Sequence, residues 1–292
     1  MAGGVHDDRW SDSLRQRTVA LRLREPAADG PGGARADAPA PLLLFSHLLG
    51  GSVASGTIWG EAWAAAGFAV LHLGHPADDA VMVGGRISRS AMAAQLAARV
   101  EDVLFILDEL MGGRRPEGAR VPLDLGRIGM SGHSFVAQVT QAIAGQAIAA
   151  RPGNVADPRI RSAVALSPSP PFEGPVEPTF AAVRMPFLSI TGPDDSLPLT
   201  AGSVTPADRE RPFRAMPPGD KYLVSIAGAG HLAFNGYAGK SGRSLPPEHV
   251  RKVVVAATRM FWRATLMDDP RARLALEAGA IGLGPGDRME WR

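Results

Sequence analysis

Apolar positions along the chain form two kinds of pattern, short continuous runs and longer stretches with helical spacing. The runs Leu42–Ser46 and Phe68–Leu73 are typical of strands buried on both faces of a sheet. From Ala91 to Met111, apolar residues recur every three or four positions, which predicts a helix. By the same criteria we predict further strands at Thr18–Leu23, Arg127–Met130, Arg161–Ser167, Pro186–Gly192 and Lys221–Gly228, and further helices at Ile58–Gly67, from Phe135 to about Ala149, and at His249–Leu266.

This repeated alternation of strand and helix predicts the architecture. A strand–helix–strand order implies a mostly parallel central sheet with helices on both faces. The sequence contains no internal repeat, and no linker divides it into two cores. We therefore expect residues 1–292 to form a single α/β domain. We interpret residues 1–17 as an N-terminal extension, residues 25–41 as a Pro/Gly/Ala-rich surface loop, and residues 167–185 as a candidate pocket-rim segment.

Composition narrows the classes of function. The net charge of +2 comes without any Lys/Arg cluster interleaved with aromatic residues, so we expect no nucleic-acid binding. No apolar stretch approaches the roughly 18 residues of a membrane span, and the first residues lack the basic and apolar regions of a signal peptide. The chain has no cysteine, which excludes disulfides, thiolate metal sites and a cysteine nucleophile. The cellular compartment and the oligomeric state stay open.

Motifs for metals and cofactors are also missing from the sequence. Neither His-Glu-x-x-His nor a His/Asp cluster with ligand spacing occurs, so we expect no metal site. The Gly-rich stretch at residues 51–56 is not Gly-x-Gly-x-x-Gly, and no Gly-x-x-x-x-Gly-Lys-Ser/Thr occurs. We therefore expect no nucleotide or other cofactor.

Candidate reactive residues lie where predicted strands end, the edge at which active sites form in parallel sheets. Ser134 follows the strand Arg127–Met130 and precedes a helix, an arrangement that can expose a serine nucleophile at a tight turn. Asp195 follows another strand, and His231 lies in a glycine-flanked loop after the last predicted strand. These residue types suit nucleophilic catalysis, because a histidine accepts the serine proton and a carboxylate orients the histidine.

Each of these residues also has a purely structural interpretation. Ser134 could cap the helix that follows it, His231 could be a surface histidine, and Asp195 or its neighbour Asp194 could belong to a turn. The order serine, aspartate, histidine along the chain is the order found in α/β hydrolases, and it favours the catalytic interpretation of all three together. Of the two adjacent carboxylates, we favour Asp195 as the acid.

The loop Phe45–Ser52 follows a buried strand and contains glycine. Such a loop could present a backbone N–H to a developing negative charge, which is how an oxyanion hole stabilises a tetrahedral intermediate. It could equally be an ordinary Gly-rich turn between a strand and a helix.

At these residues the chain resembles the α/β-hydrolase superfamily, and more narrowly the dienelactone-hydrolase-like serine hydrolases related to the plasma type of platelet-activating-factor acetylhydrolase. The similar segments cover most of the chain and include LLLFSHLLGGS, AAAGFAVLHLGHPADD, RIGMSGHSFVAQ, RMPFLSITGPDDS and KYLVSIAGAGHLAF. The resemblance implies an α/β-hydrolase fold, with Ser134 as nucleophile, Asp195 as acid and His231 as base. It also implies that the backbone N–H groups of Leu49 and Phe135 form the oxyanion hole.

The sequence departs from the family pattern around this predicted site. Residues 47–50 read His-Leu-Leu-Gly where relatives have His-Gly-Leu-Gly, and Val136 stands where the serine turn usually has glycine. Gly230 occupies a position that is commonly aspartate. We interpret these changes as reshaping of the pocket, through divergence or redesign, a hypothesis that requires Leu48 and Val136 to face the pocket or its immediate support.

The sequence thus predicts a cofactor-independent serine esterase for short- or medium-chain acyl esters or aryl esters, with polymer-derived esters also in range. Amide or lactone cleavage and acyl transfer would use the same residues and stay as alternatives. A catalytically impaired protein that binds ligands is a further alternative. From their positions beside the predicted catalytic loops, we expect the pocket to be lined by Leu48, Trp59, Met82, Val136, Phe172, Leu232 and Phe234.

Overall fold

A nine-stranded sheet lies at the centre of the computed structural model, which describes residues 3–26, 38–47, 50–76, 89–149, 155–172, 174–199, 202–237 and 245–292. Two short strands in the same described part of the chain form a separate hairpin. The strands are Val5–Asp12 (β1), Arg17–Arg24 (β2), Ala40–Ser46 (β3), Ala69–Gly74 (β4), Leu123–His133 (β5), Ile160–Leu166 (β6), Phe187–Thr191 (β7), Leu197–Leu199 (β8), Gly202–Val204 (β9), Lys221–Ser225 (β10) and Arg288–Trp291 (β11).

The order of strands across the main sheet is β1-β2-β4-β3-β5-β6-β7-β10-β11. All strands from β4 to β10 in this order run parallel to one another. At the two edges, β1, β2 and β11 pair antiparallel with their neighbours. The sheet is therefore mostly parallel, and the carboxyl ends of its central strands meet along one edge.

Helices connect the strands and cover both faces of the sheet. They are Thr57–Ala65 (α1), Arg89–Met111 (α2), Phe135–Ile143 (α3), Val176–Thr179 (α4), Pro206–Ala215 (α5), Glu248–Leu266 (α6) and Pro270–Glu277 (α7), together with a 3-10 helix at His231–Phe234. Among the described residues, no helix is both long enough and apolar enough to cross a membrane.

The continuous apolar run in β3 reflects burial on both of its faces. Leu42 and Leu44 pack in the core beneath α2 and α3, whereas Leu43 and Phe45 pack in the core beneath α1 and α6. Successive side chains of a strand point to opposite faces, so a strand covered on both sides needs apolar residues throughout. Each such buried side chain contributes about 1.5–3 kcal/mol through the removal of apolar surface from water.

The N-terminal residues belong to the sheet, which corrects the prediction that residues 1–17 form an extension. Val5–Asp12 pairs in antiparallel register with β2, and Trp10 is completely buried. This edge strand carries polar residues such as His6, Asp7 and Asp8, and most of its side chains are at least partly exposed. The apolar alternation is consequently too weak to predict a strand there.

Helix α3 ends earlier than predicted, at Ile143 instead of about Ala149. Gly145 adopts φ 121°, and the N–H of Gln146 donates to the carbonyl of Gln141 at 2.8 Å. A glycine with positive φ just beyond the last turn is a common helix stop. The apolar patterns also fail to predict α5, α7 and β11, because these elements lie near the surface and mix polar with apolar positions.

Candidate active site

Ser134 lies in the tight turn between β5 and α3. Its backbone has φ 63° and ψ −125°, a strained conformation that persists only where the surrounding structure enforces it. The N–H of Ser134 donates to the carbonyl of Leu166 at 2.9 Å, which ties the turn to the end of β6. Gly132 lets helix and strand approach closely, because a Cβ there would lie 2.6 Å from the carbonyl oxygen of Val136. Strand, turn and helix together place Ser134 at the carboxyl edge of the sheet.

His231 and Asp195 approach Ser134 from the ends of two other strands. Ser134 Oγ lies 2.7 Å from Nε2 of His231, and Nδ1 of His231 lies 2.8 Å from Oδ1 of Asp195. His231 begins the 3-10 helix after β10, and Asp195 follows β7. With its proton on Nδ1, the imidazole donates to the carboxylate and accepts from the hydroxyl. The structure therefore brings the nucleophile, base and acid predicted from the sequence into one hydrogen-bonded chain.

The surroundings of Asp195 keep its carboxyl group ionised. Burial alone would raise its pKa, but the hydrogen bond from His231 and the charge of Arg209 bring the pKa of Asp195 below its ordinary value. The hydroxyl of Thr191 also donates to Oδ2 at 2.9 Å. The side chain of Asp194, in contrast, is exposed. Of the two adjacent carboxylates, it is Asp195 that contacts His231.

A buried histidine also holds the backbone of His231. Nε2 of His133 lies 3.0 Å from the carbonyl oxygen of His231, and the two rings lie 5.0 Å apart between centroids. Burial lowers the pKa of His133 to about 3, so the ring is neutral and donates to this carbonyl through Nε2–H. His133 therefore fixes the position of His231 without adding a charge beside it.

Of the two predicted oxyanion donors, Phe135 lies among the described residues and Leu49 does not. Phe135 is the first residue of α3, and the first N–H groups of a helix have no acceptor within the helix. Leu49 lies outside the described residues, so its role stays a prediction. Arg99 links the start of this loop to Phe135, because its Nη1 donates to the carbonyl of His47 at 2.8 Å and its guanidinium lies 5.5 Å from the centre of the Phe135 ring.

A second Ser–His–Asp chain lies behind the same loop and is completely buried. Nε2 of His75 lies 2.5 Å from Oγ of Ser46, and Nδ1 lies 2.9 Å from Oδ2 of Asp102. Asp102 also accepts hydrogen bonds of 2.9 Å from Arg15 and from Arg17. No face of this network is open to substrate, since the Ser46, His75 and Asp102 side chains are buried. It anchors the end of β3 to α2 and to the N-terminal strands.

Replacing Asp102 by asparagine should destabilise the protein by about 3–5 kcal/mol, the usual cost of removing one partner from a buried ion pair. The guanidinium groups of Arg15 and Arg17 would lose the carboxylate that they share, which is 0% exposed. Asp7→Asn is the matched control, because Asp7 is 59% exposed in its ion pair with Arg22. Urea unfolding of both variants measures the difference, and a loss of less than about 1 kcal/mol in Asp102→Asn, as expected for an exposed pair, would contradict the anchoring role.

Two of the predicted pocket residues lie beside the site. The ring of Phe172 stacks on that of Phe135, with centroids 5.8 Å apart, so it lies next to the Ser134 turn. Helix α3 also holds the segment that leads to Phe172, because Nε2 of Gln138 donates to the carbonyl of Pro170 at 2.8 Å. Leu232 directly follows His231 and is 63% exposed. The ring of Phe172 thus lies against the residue that follows Ser134, and contact of either side chain with a substrate stays a prediction.

Three other predicted pocket residues belong to the hydrophobic core, and that part of the prediction is wrong. Trp59, Val136 and Phe234 are completely buried. Trp59 donates from Nε1 to the carbonyl of Phe234 at 2.9 Å, so it supports the last residue of the 3-10 helix from within the core. Val136 packs in the core beneath α2, in the same cluster as Phe135, so its side chain does not line the pocket itself. Leu48 and Met82 lie outside the described residues.

Arg209, which no sequence pattern predicts as a site residue, lies on α5 and is 1% exposed. Its Nε lies 3.3 Å from Oδ1 of Asp195, and its Nη2 lies 3.2 Å from Nδ1 of His231. The helix itself had a local signal, because Thr205 and Asp208 form a capping box with Pro206 in the first turn. That signal predicts where α5 begins, but not that Arg209 points at Asp195.

Comparison with known proteins establishes the class of fold. No family model matches the chain, and neither does any curated protein. The structure is similar to that of a ferulic acid esterase from Streptomyces cinnamoneus, with a TM-score of 0.60 and 21% sequence identity over 91% of this chain and 90% of that chain. The prediction of an α/β-hydrolase fold with a mostly parallel central sheet is confirmed. The narrower resemblance to dienelactone-hydrolase-like enzymes stays a prediction.

Proposed function

We propose that this protein is a serine hydrolase that cleaves carboxylic esters through a covalent acyl-enzyme. The observation that carries the proposal is the hydrogen-bonded chain from Ser134 through His231 to the buried carboxylate of Asp195. A serine hydroxyl becomes an effective nucleophile when a positioned base takes its proton. The similarity of the fold to a ferulic acid esterase supports ester hydrolysis as the type of reaction.

In the first half of the reaction, Nε2 of His231 takes the hydroxyl proton of Ser134 while Oγ attacks the ester carbonyl carbon. The carbonyl π electrons move to oxygen, and the backbone N–H of Phe135, with that of Leu49 as the predicted second donor, stabilises the oxyanion. The carbon–oxygen bond to the alcohol then breaks, and the His231 imidazolium returns its proton to the departing oxygen. Asp195 stabilises the imidazolium throughout and keeps its own charge.

In the second half, water takes the place of the alcohol. His231 removes a proton from the water as its oxygen attacks the acyl carbon, and the same N–H groups hold the second oxyanion. Collapse of this intermediate breaks the bond to Ser134, which recovers the proton from His231. The products are one alcohol and one carboxylic acid for each water consumed.

The surroundings of Ser134 favour esters with an apolar or aryl group. Phe172 stacks on Phe135 beside the nucleophile, and Leu232 presents an exposed apolar side chain after the base. Such surfaces bind acyl chains and aromatic rings through removal of apolar area from water. We therefore propose short- or medium-chain acyl esters and aryl esters as substrates.

A fluorophosphonate probe together with p-nitrophenyl esters of increasing acyl length tests the proposal. We expect the probe to add one covalent group to Ser134 and to abolish turnover, because its phosphorus mimics the attacked carbonyl carbon. The Ser134→Ala variant should neither be labelled nor turn over the esters, since it retains no nucleophilic oxygen at this turn.

Ser131→Ala is the matched control, because Ser131 is buried on β5, three residues before the nucleophile. It should be labelled and should hydrolyse esters like the wild-type protein. Turnover that survives in Ser134→Ala would show that another group is the nucleophile. Absence of both labelling and turnover in the wild-type protein would instead favour a ligand-binding role.

A further inference from the structure

Arg209 reaches the acid and the base of the candidate site from the side opposite Ser134. Its Nε lies 3.3 Å from Oδ1 of Asp195, and its Nη2 lies 3.2 Å from Nδ1 of His231. The imidazole proton on Nδ1 points to Asp195, which is closer at 2.8 Å, so the approach of Arg209 to His231 acts through charge and not as a second hydrogen bond. A fixed positive charge therefore lies against both the carboxylate and the imidazole.

The same guanidinium also holds the loop that follows β6. Its Nη1 donates to the carbonyl oxygens of Ser167 and Pro168 at 3.2 and 3.3 Å, and to the hydroxyl of Ser169. Ser167 itself has φ 55°, a strained backbone that such contacts help to maintain. The planar fork of arginine can serve these acceptors and the carboxylate at once, whereas a lysine ammonium cannot.

Burying the charged guanidinium of Arg209 costs free energy unless the charge is paired with acceptors. Arg209 is 1% exposed, and burial lowers its pKa although Asp195 and Asp208 oppose that change. A buried cation generally persists only when it is paired and fully hydrogen bonded. Arg209 meets that requirement, because it pairs with the carboxylate of Asp195 and donates hydrogen bonds to the loop that follows β6.

We propose that Arg209 is a positioning residue for the hydrolytic reaction, which orients the carboxylate of Asp195 and, through it, the imidazole that accepts the Ser134 proton. This inference rests on the proposed esterase function. The charged and titratable groups that face His231 are Asp195, Arg209, His133 and Ser134. Of these, Arg209 supplies the fixed positive charge, and it contacts the carboxylate that holds the imidazole.

The separate values of kcat and KM for p-nitrophenyl acetate in Arg209→Gln and Arg209→Lys test this role. A residue that positions the acid and the base acts on the chemical step and not on substrate binding, so kcat of Arg209→Gln should fall by about 10- to 100-fold while KM stays within about twofold of the wild-type value. Arg209→Lys keeps the charge but not the planar fork, so it should recover only part of the lost kcat.

Arg24→Gln is the control, because Arg24 is another largely buried arginine but lies on β2, where it contacts Glu61 and Thr57. It should leave kcat unchanged, which separates loss of any buried cation from loss of Arg209. A kcat in Arg209→Gln equal to that of an active wild-type protein, or a change confined to KM, would overturn the Arg209 proposal alone. If Arg209→Gln does not fold, wild-type kcat in Arg209→Lys overturns it. A wild-type protein that the phosphonate fails to label would remove the esterase proposal, and the role of Arg209 with it.

Discussion

Replacing Asp195 by asparagine should lower kcat for ester hydrolysis by about 10⁴-fold, the loss expected when the acid of such a triad can no longer orient its histidine. The carboxylate of Asp195 accepts the Nδ1–H of His231 at 2.8 Å, which leaves Nε2 free to take the Ser134 proton. An asparagine amide can donate to Nδ1 instead, and this would place the imidazole proton on Nε2, facing Ser134. The base would then already carry the proton that it has to accept.

Asp194→Asn offers a control that differs by a single position in the chain. Its side chain is exposed while that of Asp195 is fully buried, and the two residues follow the same strand. Asp194→Asn should therefore keep kcat within about twofold of the wild-type value, as for other exposed substitutions away from the chemistry. Steady-state kinetics with p-nitrophenyl acetate distinguish the two variants. Equal losses in both, or a loss only in Asp194→Asn, would contradict the assignment of the acid.

The free energy of unfolding should fall steeply as the pH is lowered from about 6.5 towards 4. Burial lowers the pKa of His72 and of His133 to about 3 and that of His75 to about 4, against 6.5 for an unperturbed histidine. Between these values the unfolded chain binds protons that the folded protein excludes, so the stability decreases as the pH falls. Each such histidine contributes a slope of about 1.4 kcal/mol per pH unit, or about 2 kcal/mol between pH 7 and pH 5.

Urea unfolding at several pH values measures this slope, and His72→Asn isolates one contribution to it. Asparagine can replace the donor at Nδ1, which lies 3.1 Å from the carbonyl oxygen of Ser55, but it does not titrate. We expect the slope of this variant to be smaller by about 1.4 kcal/mol per pH unit. An unchanged slope in His72→Asn would mean that His72 titrates alike in the folded and unfolded protein.

Much of the fold can be predicted from the sequence, because the central strands and helices carry strong local patterns. The apolar run in β3 and the helical spacing in α2 predict both elements within two residues of their observed ends. Patterns fail at the periphery, where β1, α5 and β11 are polar on their exposed sides. They also fail for side-chain direction, since Trp59 and Val136 were expected in the pocket and pack in the core. Position beside a catalytic loop does not determine which way a residue of a helix points.

The sequence by itself determined the alternation of strands and helices and the identity of Ser134, Asp195 and His231 as candidates. These depend on periodicity, on turn residues and on order along the chain, which are properties of local segments. Only the tertiary structure decided that Ser134 and His231, which are 97 residues apart, lie within one hydrogen bond of each other. It alone also placed Arg209 against Asp195, because the contacts of a buried charge depend on how distant segments pack and not on the residues beside it in the chain.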